Sequence, residues 1–548
     1  MQPKFISLIG YKEFYSLTYE GDPLNLLKGL KINQAIISLS NLFNKFLNPT
    51  VLNQEKILNY DTQIEFINFF IEGTTRLSRR FHEIANSGIY SNKNPPVLFS
   101  RYSILYTIEL LKKNQPLGEV YDVVSINREQ AEGLFKLLLN SNNIVVNELE
   151  GEQKEEGNED FIKNLAPRVL IINEINNRQN PLVTMAISIA FFNYFSNHLN
   201  LAGHFSHYIN QTYQLEVKDF WKTVNVLYST QINDWDYRKA LIPKGDSQMR
   251  LFKSLSNHKK LDTDTKILLN IRKYPLFEFT ENQFKIIDVD LLLDKLFFQL
   301  INDFWFDYIK IHKVVKANNY FGEVGRFIEK RLISIALKKL ARPGVNIFHG
   351  SDLSYNNYEI CDLVIQVGRK VILIEIKGGL FTEDQKFSGE LGSLIGENIE
   401  DFKKKFGLKQ LEKDLPLKLK YLENIIPEIN RKRHQIFRIA VNLEKAFGTP
   451  LMPIFINKFI DQNKETINKS VFYPIKLTTL YEFERLLIIS KEEPWSFFAN
   501  IISSFCCQKP SIKKLEFVKP LNSFLVNPKK HPLNQMYLEE FIKPYLKS

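Results

Sequence analysis

Through roughly the first 145 residues, apolar positions recur three and four apart. This spacing predicts helices over Leu24–Phe46, Gln63–Ala85, Val97–Lys113 and Asn127–Asn140, with Pro95-Pro96 breaking the run between the second and third. Asn147–Asp160, NELEGEQKEEGNED, is acidic and glycine-containing and reads as an exposed loop or linker. Helical spacing resumes from Phe161 to about Asp246, although Val169–Ile175 also fits a short strand. Leu182–Phe195 is the most apolar long run; it is too short to span a bilayer and contains Thr184, Ser188 and Asn193, so a buried helix is expected. At Lys273 the pattern changes to two short strands around Glu281-Asn282, followed by one long aromatic helix towards Lys316 that reads as a connector.

The pattern changes again after Lys316. Phe321–Leu340 places Phe327, Leu332, Ile335, Ala336 and Leu340 at helical spacing. Glu359–Gly379, EICDLVIQVGRKVILIEIKGG, consists of two β-branched runs flanking Gly368-Arg369, a two-residue hairpin turn with glycine first. With that turn Val367 faces Lys370, and counting outward sets Asp362 opposite Glu375, with Lys377 on the same strand face as Glu375. Cys361, Leu363, Ile365, Ile372, Ile374 and Ile376 fill the other face. A polar stretch from Gly378-Gly379 to about Asn398 reads as a mobile loop, and Asp401–Leu411 as a helix. Gln435–Val441 and Phe472–Leu477 read as strands, Thr479 to Glu482 as a capping box opening a helix to about Ile489, and Asn534–Leu546 as a closing helix.

Composition limits the classes available. The chain has 548 residues, 44% hydrophobic and 24% charged, as expected of a globular protein of about three or four domains. The formal net charge of +11 favours a polyanionic partner. Three cysteines, Cys361, Cys506 and Cys507, build neither a disulfide framework nor a zinc set, which suits a reducing cytoplasm. The N-terminal stretch contains Glu13 and lacks a long apolar segment, so no signal peptide is expected, and neither is a Walker-type ATPase loop.

Charge clusters offer further candidates. Arg76, Arg79, Arg80 and His82 form a solvated helix face or a phosphate contact. His204 and His207, beside Phe205 and Tyr208, fit core packing better than a metal site. Lys403, Lys404, Lys405, Lys409, Lys413, Lys418, Lys420, Arg431, Lys432 and Arg433 are either a soluble surface or a track along a nucleic-acid backbone.

Two carboxylates about 5 Å apart at Cβ in an apolar sheet repel each other unless a cation lies between them. Mg²⁺ takes carboxylate, water and phosphate oxygens, and a lysine alongside adds a point charge for a phosphate. Asp362, a hairpin, then Glu375-Ile376-Lys377 resembles the PD-(D/E)XK nuclease superfamily over about Tyr320–Ser490. One departure is that Cys361 stands where the motif often has proline. The resemblance implies a C-terminal restriction-endonuclease-like α/β/α domain with a mixed sheet, behind a mostly α-helical N-terminal region. The implied division is 1–146 helical, 161–316 helical with the connector, 317–492 nuclease-like and 493–548 a basic extension. It implies catalytic Asp362, Glu375 and Lys377, and metal ligands Asp362, Glu375 and the Ile376 carbonyl for Mg²⁺ or Mn²⁺. Glu329 on the preceding helix, with Glu323 as competitor, and Gln410 on the following helix, beside Lys409, are the further implied site residues. The implied activity is endonucleolytic cleavage, of DNA ahead of RNA, in bacterial restriction or anti-phage defence, with no membrane and with a homodimer or a partner protein. The alternatives are a non-catalytic nucleic-acid-binding fold and a scaffold whose helical half is the active part.

Overall fold

The computed structural model describes residues 8–46, 60–70, 75–87, 96–115, 126–150, 175, 181–198, 200–227, 240–256, 268–355, 358–382, 385, 391–396, 398–449, 452, 464–508, 521–525 and 536–537. Over these the chain is mostly helical and carries a six-stranded mixed sheet towards its C-terminal end. It divides into two compact units, one of Met1–Gln153, Thr184–Tyr308 and Tyr545–Ser548, the other of Lys154–Val183 and Ile309–Pro544. Among the described residues no helix is long and apolar enough to cross a membrane. Residues 151–160, Val169–Ile175 apart from Ile175, and the expected closing helix apart from residues 536–537 lie outside the described residues.

Among the described residues the first unit consists of helices with one hairpin. Ile32–Phe46, Tyr60–Phe70, Thr75–Ala85, Arg101–Lys113 and Arg128–Glu150 are helical, the last running further into the acidic stretch than the periodicity indicates. The expected helix Gln63–Ala85 is described as two, on either side of residues 71–74. Pro181–Ser196 forms a helix whose described residues are mostly buried. Leu276–Thr280 and Gln283–Ile286 pair antiparallel around Glu281-Asn282, as their alternation predicts. The single aromatic helix expected next is instead three pieces: Val289–Leu296, Gln299–Asp303 and a π-helical turn, Phe304–Ile309. Phe297, Phe298, Phe304, Trp305 and Tyr308 are all buried, more than one 3.6-period stripe can face inward, and the wider turn shifts the phase.

The second unit is built on the sheet. Helix α1 (Ala317–Leu340) precedes strands β1 (Val345–His349), β2 (Leu363–Val367) and β3 (Lys370–Lys377). Helices α2 (Ile399–Lys405), α3 (Leu408–Glu412) and α4 (Leu415–Ile425) lead to β4 (Gln435–Asn442), β5 (Glu465–Ile467) and β6 (Ser470–Thr479), then α5 (Leu480–Ile489) and α6 (Ser496–Cys506). The sheet order is β1-β2-β3-β4-β6-β5. β3 and β4 pair in parallel, as do β4 and β6; the other neighbours are antiparallel. Every residue of β2 is buried, as are six consecutive residues of β3, which is why both strands read as continuous apolar runs. On one face Val364, Val371, Leu373, Ile436 and Ala440 pack with Phe402, Phe406, Leu408, Leu411, Leu419 and Leu422 from α2, α3 and α4. α6, placed by sequence in a C-terminal extension, buries Phe498, Ala499, Ile502 and Phe505 and packs on β4 and β6.

Candidate functional site

The hairpin register brings two acids together. Val367 pairs with Lys370 and Leu363 with Ile374, so the next step outward sets Asp362 opposite Glu375 at the end of the ladder. Lys377, two residues on, reaches back over the pair: its Nζ lies 2.5 Å from Glu375 Oε1 and 4.0 Å from Asp362 Oδ2. Asp362 Oδ2 also accepts a 2.6 Å hydrogen bond from the Ile376 N–H, which ties the first acid to the strand that carries the second.

The electrostatics follow from burial. Glu375 is only 3% exposed and Asp362 8%. Burial, then the charge on Asp362, push Glu375 up to about 8, although Lys377 pulls the other way. Asp362 is raised as well, by burial, against Lys377 and the Ile376 N–H. Burial works against the Lys377 charge, but Glu375 and Asp362 outweigh it, and the ammonium titrates above its ordinary range. A single lysine therefore does not compensate the negative charge gathered here.

Further carboxylates face the same cluster. Glu329, half-buried on α1, is raised by burial, then by Asp362 and Glu359, as expected of a group on the site side of the helix. Glu323, its competitor, is instead paired with Arg326 one turn along α1. Glu359 is not singled out by the sequence; it is raised by burial and by Asp362 and lowered by Lys377, so it belongs to the cluster. Its one signal in the sequence is its position three residues before Asp362. Gln410 reaches the site only indirectly: its Nε2 donates to the Glu359 carbonyl at 2.8 Å, while Lys409 pairs with Glu400 at 3.1 Å.

Two glycine positions make the geometry possible. The helix expected over Asp401–Leu411 is broken at Gly407, which adopts a φ of +79° between α2 and α3. A Cβ on Gly407 would lie 2.7 Å from Glu375 Cγ and 3.2 Å from Lys377 Cγ, so only glycine lets the chain pass so close to both side chains. At the end of β3, a Cβ on Gly378 would lie 2.8 Å from the Gly325 nitrogen. This close approach seats α1, and with it Glu329, against the strand.

The basic run does not form one surface. Lys418 is fully buried and donates to the Ile360 carbonyl at 3.0 Å. Lys403 lies between Glu412 at 2.9 Å and Glu400 at 3.7 Å. Lys404, Lys420, Arg431, Lys432 and Arg433 are exposed. In the first unit, Arg80 donates to the Phe14 carbonyl at 2.9 Å and Arg76 and Arg79 are exposed. His204 is half-buried against the Tyr308 ring, whereas His207 is exposed, so the expected core packing does not extend to it.

The donor set suits a hard cation. Among the described residues no three or more His, Cys, Asp and Glu side chains are gathered into a ready-made metal cage. Mg²⁺, however, is ordinarily held by one or two carboxylates with water and phosphate completing its shell. Among the described residues Glu375 Oε2 is buried with no hydrogen-bond partner, an acceptor left unanswered. Asp362 and Glu375 therefore fit such an ion. No family model matches the chain, and no curated protein or solved structure matches it.

Proposed function

We propose that the second unit is a metal-dependent endonuclease of the PD-(D/E)XK type that hydrolyses nucleic-acid phosphodiester bonds, with DNA the preferred substrate. The observation that carries this reading is the meeting of Asp362, Glu375 and Lys377 at one end of a buried hairpin, with more negative charge than Lys377 balances. The order α1, three antiparallel strands, intervening helices and a strand parallel to the third supports it. The exposed lysines and arginines of the same unit supply phosphate contacts.

Asp362, Glu375 and the Ile376 carbonyl would hold Mg²⁺ or Mn²⁺, which when bound supplies Lewis acidity at a phosphate oxygen. The remaining work belongs to the chain. Lys377 stays protonated at neutral pH because its acidic neighbours raise its pKa. It would act as a positive charge and hydrogen-bond donor towards the phosphate or the attacking water. Its effect falls on the barrier more than on ground-state binding. Glu329 and Glu359, both raised and partly exposed, stand where they accept hydrogen bonds from water at the rim.

A cytoplasmic setting is supported by three free thiols. A role in bacterial restriction or anti-phage defence, with a homodimer or partner protein, follows from the resemblance and is part of the proposal. The test is purified full-length chain incubated with single- and double-stranded DNA and RNA in Mg²⁺, Mn²⁺ or EDTA. The expected result is metal-dependent internal cleavage of DNA, abolished by EDTA. Retained binding with no cleavage under any metal would leave a non-catalytic nucleic-acid-binding fold.

A further inference from the structure

Asp362 stands outside the ladder that carries Glu375. The β2–β3 pairing starts at Leu363, and the residues leading into Asp362 belong to no strand of the six-stranded sheet. The lead-in is held by other means. Tyr358 and Glu359 pair with Tyr355 and Ser354, and the Ile360 N–H donates to the Leu353 carbonyl at 3.2 Å. The Glu359 carbonyl accepts from Gln410 Nε2 at 2.8 Å, and the Ile360 carbonyl from Lys418 Nζ at 3.0 Å. Two successive carbonyls, two and three residues before the first acid, are thus tethered by side chains from α3 and α4.

Lys418 is the unexpected member of this set. It is 0% exposed, on a helix whose Leu415, Leu419 and Leu422 pack into the core beneath the sheet. A buried ammonium is costly, and a methionine would fill the same volume at no electrostatic cost. Two things distinguish the lysine from such a residue: a donor at the Ile360 carbonyl and a positive charge that interacts with Glu375.

We propose that Lys418 is a positioning residue for the two-carboxylate site: by tethering the Ile360 carbonyl it fixes where Asp362 stands relative to Glu375. The proposal rests on the nuclease reading above. Groups that orient ligands from behind typically affect metal affinity about 10- to 100-fold. Lys418→Met keeps the volume and removes the tether.

The experiment is a Mn²⁺ titration of the full-length chain, followed by electron paramagnetic resonance, with folding checked by circular dichroism. Lys418→Met is expected to fold and to need about tenfold more Mn²⁺ for half-saturation. Gln410→Ala, which removes the neighbouring tether at the Glu359 carbonyl, is expected to show a shift of the same sign, about threefold, and Lys418→Leu, which also removes the Ile360 tether, is read by the same criterion if Lys418→Met does not fold. Leu419→Ala loosens the same helix but leaves the ammonium in place, and is expected to leave half-saturation within twofold. Half-saturation in Lys418→Met within twofold of the unmodified chain overturns the proposal; so does an equal shift in Leu419→Ala, which would make the effect general loosening. A chain that binds no Mn²⁺ before any substitution overturns the nuclease reading, and this proposal with it.

Discussion

The helical unit and the acid cluster of the sheet unit handle buried charge in opposite ways; elsewhere in the sheet unit buried charge is paired, as Glu484 is with Arg331 at 2.6 and 2.8 Å. In the helical unit Arg101, Glu109 and Lys295 are each buried and each answered. Arg101 places Nε and Nη2 on Asp288 Oδ2, at 2.9 and 2.6 Å, and Nη1 on Asp290 at 3.2 Å, while Asp288 Oδ1 caps the helix Val289–Leu296. Glu109, fully buried, accepts from the Asn270 N–H and amide and from the Ile271 N–H. Lys295 meets Asp303 at 2.6 Å. In the sheet unit Asp362, Glu375, Glu329 and Glu359 are all raised, Glu375 Oε2 has no partner, and Lys377 is the cation in contact with the pair. Closed networks of the first kind hold a fold together, whereas an open cluster of like charge at the end of a strand costs stability. Substitutions should therefore separate the units: stability falls in one, activity in the other.

The largest expected effect lies in the helical unit. Arg101→Ala leaves Asp288 buried without its cation and should cost about 3–5 kcal/mol in urea denaturation. A loss below about 1 kcal/mol would mean that this network does not hold the unit together. Next is Lys377→Ala. It should stay folded, with a smaller loss of stability than Arg101→Ala because Lys377 is the more exposed cation, and still bind nucleic acid in gel-shift assays, yet cleave at least about 100-fold more slowly. Full cleavage by this variant would remove Lys377 from the mechanism and make the contrast between the units meaningless.

The third effect depends on pH and is read without metal. Glu375 titrates near 8 in the fold and near its ordinary carboxylate range when unfolded, so the folded state binds the extra proton between those values. Its penalty is absent at pH 4, grows as pH rises through that window, and is complete above pH 8. In EDTA, Glu375→Gln should therefore match the wild type at pH 4 and exceed it by on the order of 2 kcal/mol at pH 8.5. Equal stability at both pH values would show that Glu375 is compensated after all. The smallest effect concerns the exposed cations. Replacing Arg431, Lys432 and Arg433 by Glu should weaken DNA binding about tenfold at 0.1 M salt and reduce the salt slope by about 0.9 for each phosphate that is no longer neutralised. An unchanged slope would move the binding surface elsewhere, with Arg76 and Arg79 the next residues to test.

The hairpin and its register were legible along the chain. A period of two, a Gly-Arg turn and continuous β-branched runs are local properties, and a one-residue slip would send Glu375 to the opposite face, so Asp362 and Glu375 could be set opposite each other by counting. α1, β4, β6 and α5 were legible for the same reason, each being longer than a turn and periodic throughout. Which groups join the acids depends instead on packing between distant elements. Glu359 lies on a two-residue strand too short to show a period, Gly407 is required by side chains some 30 residues upstream, and Lys418 meets a carbonyl across the core. The lysine run misleads when read along the chain because Glu400, Glu412 and the Ile360 carbonyl claim three of its members through contacts that composition cannot express. The expected long aromatic helix fails for a related reason: periodicity records which residues are apolar, while the number of rings that can face one core depends on the neighbours that enclose them.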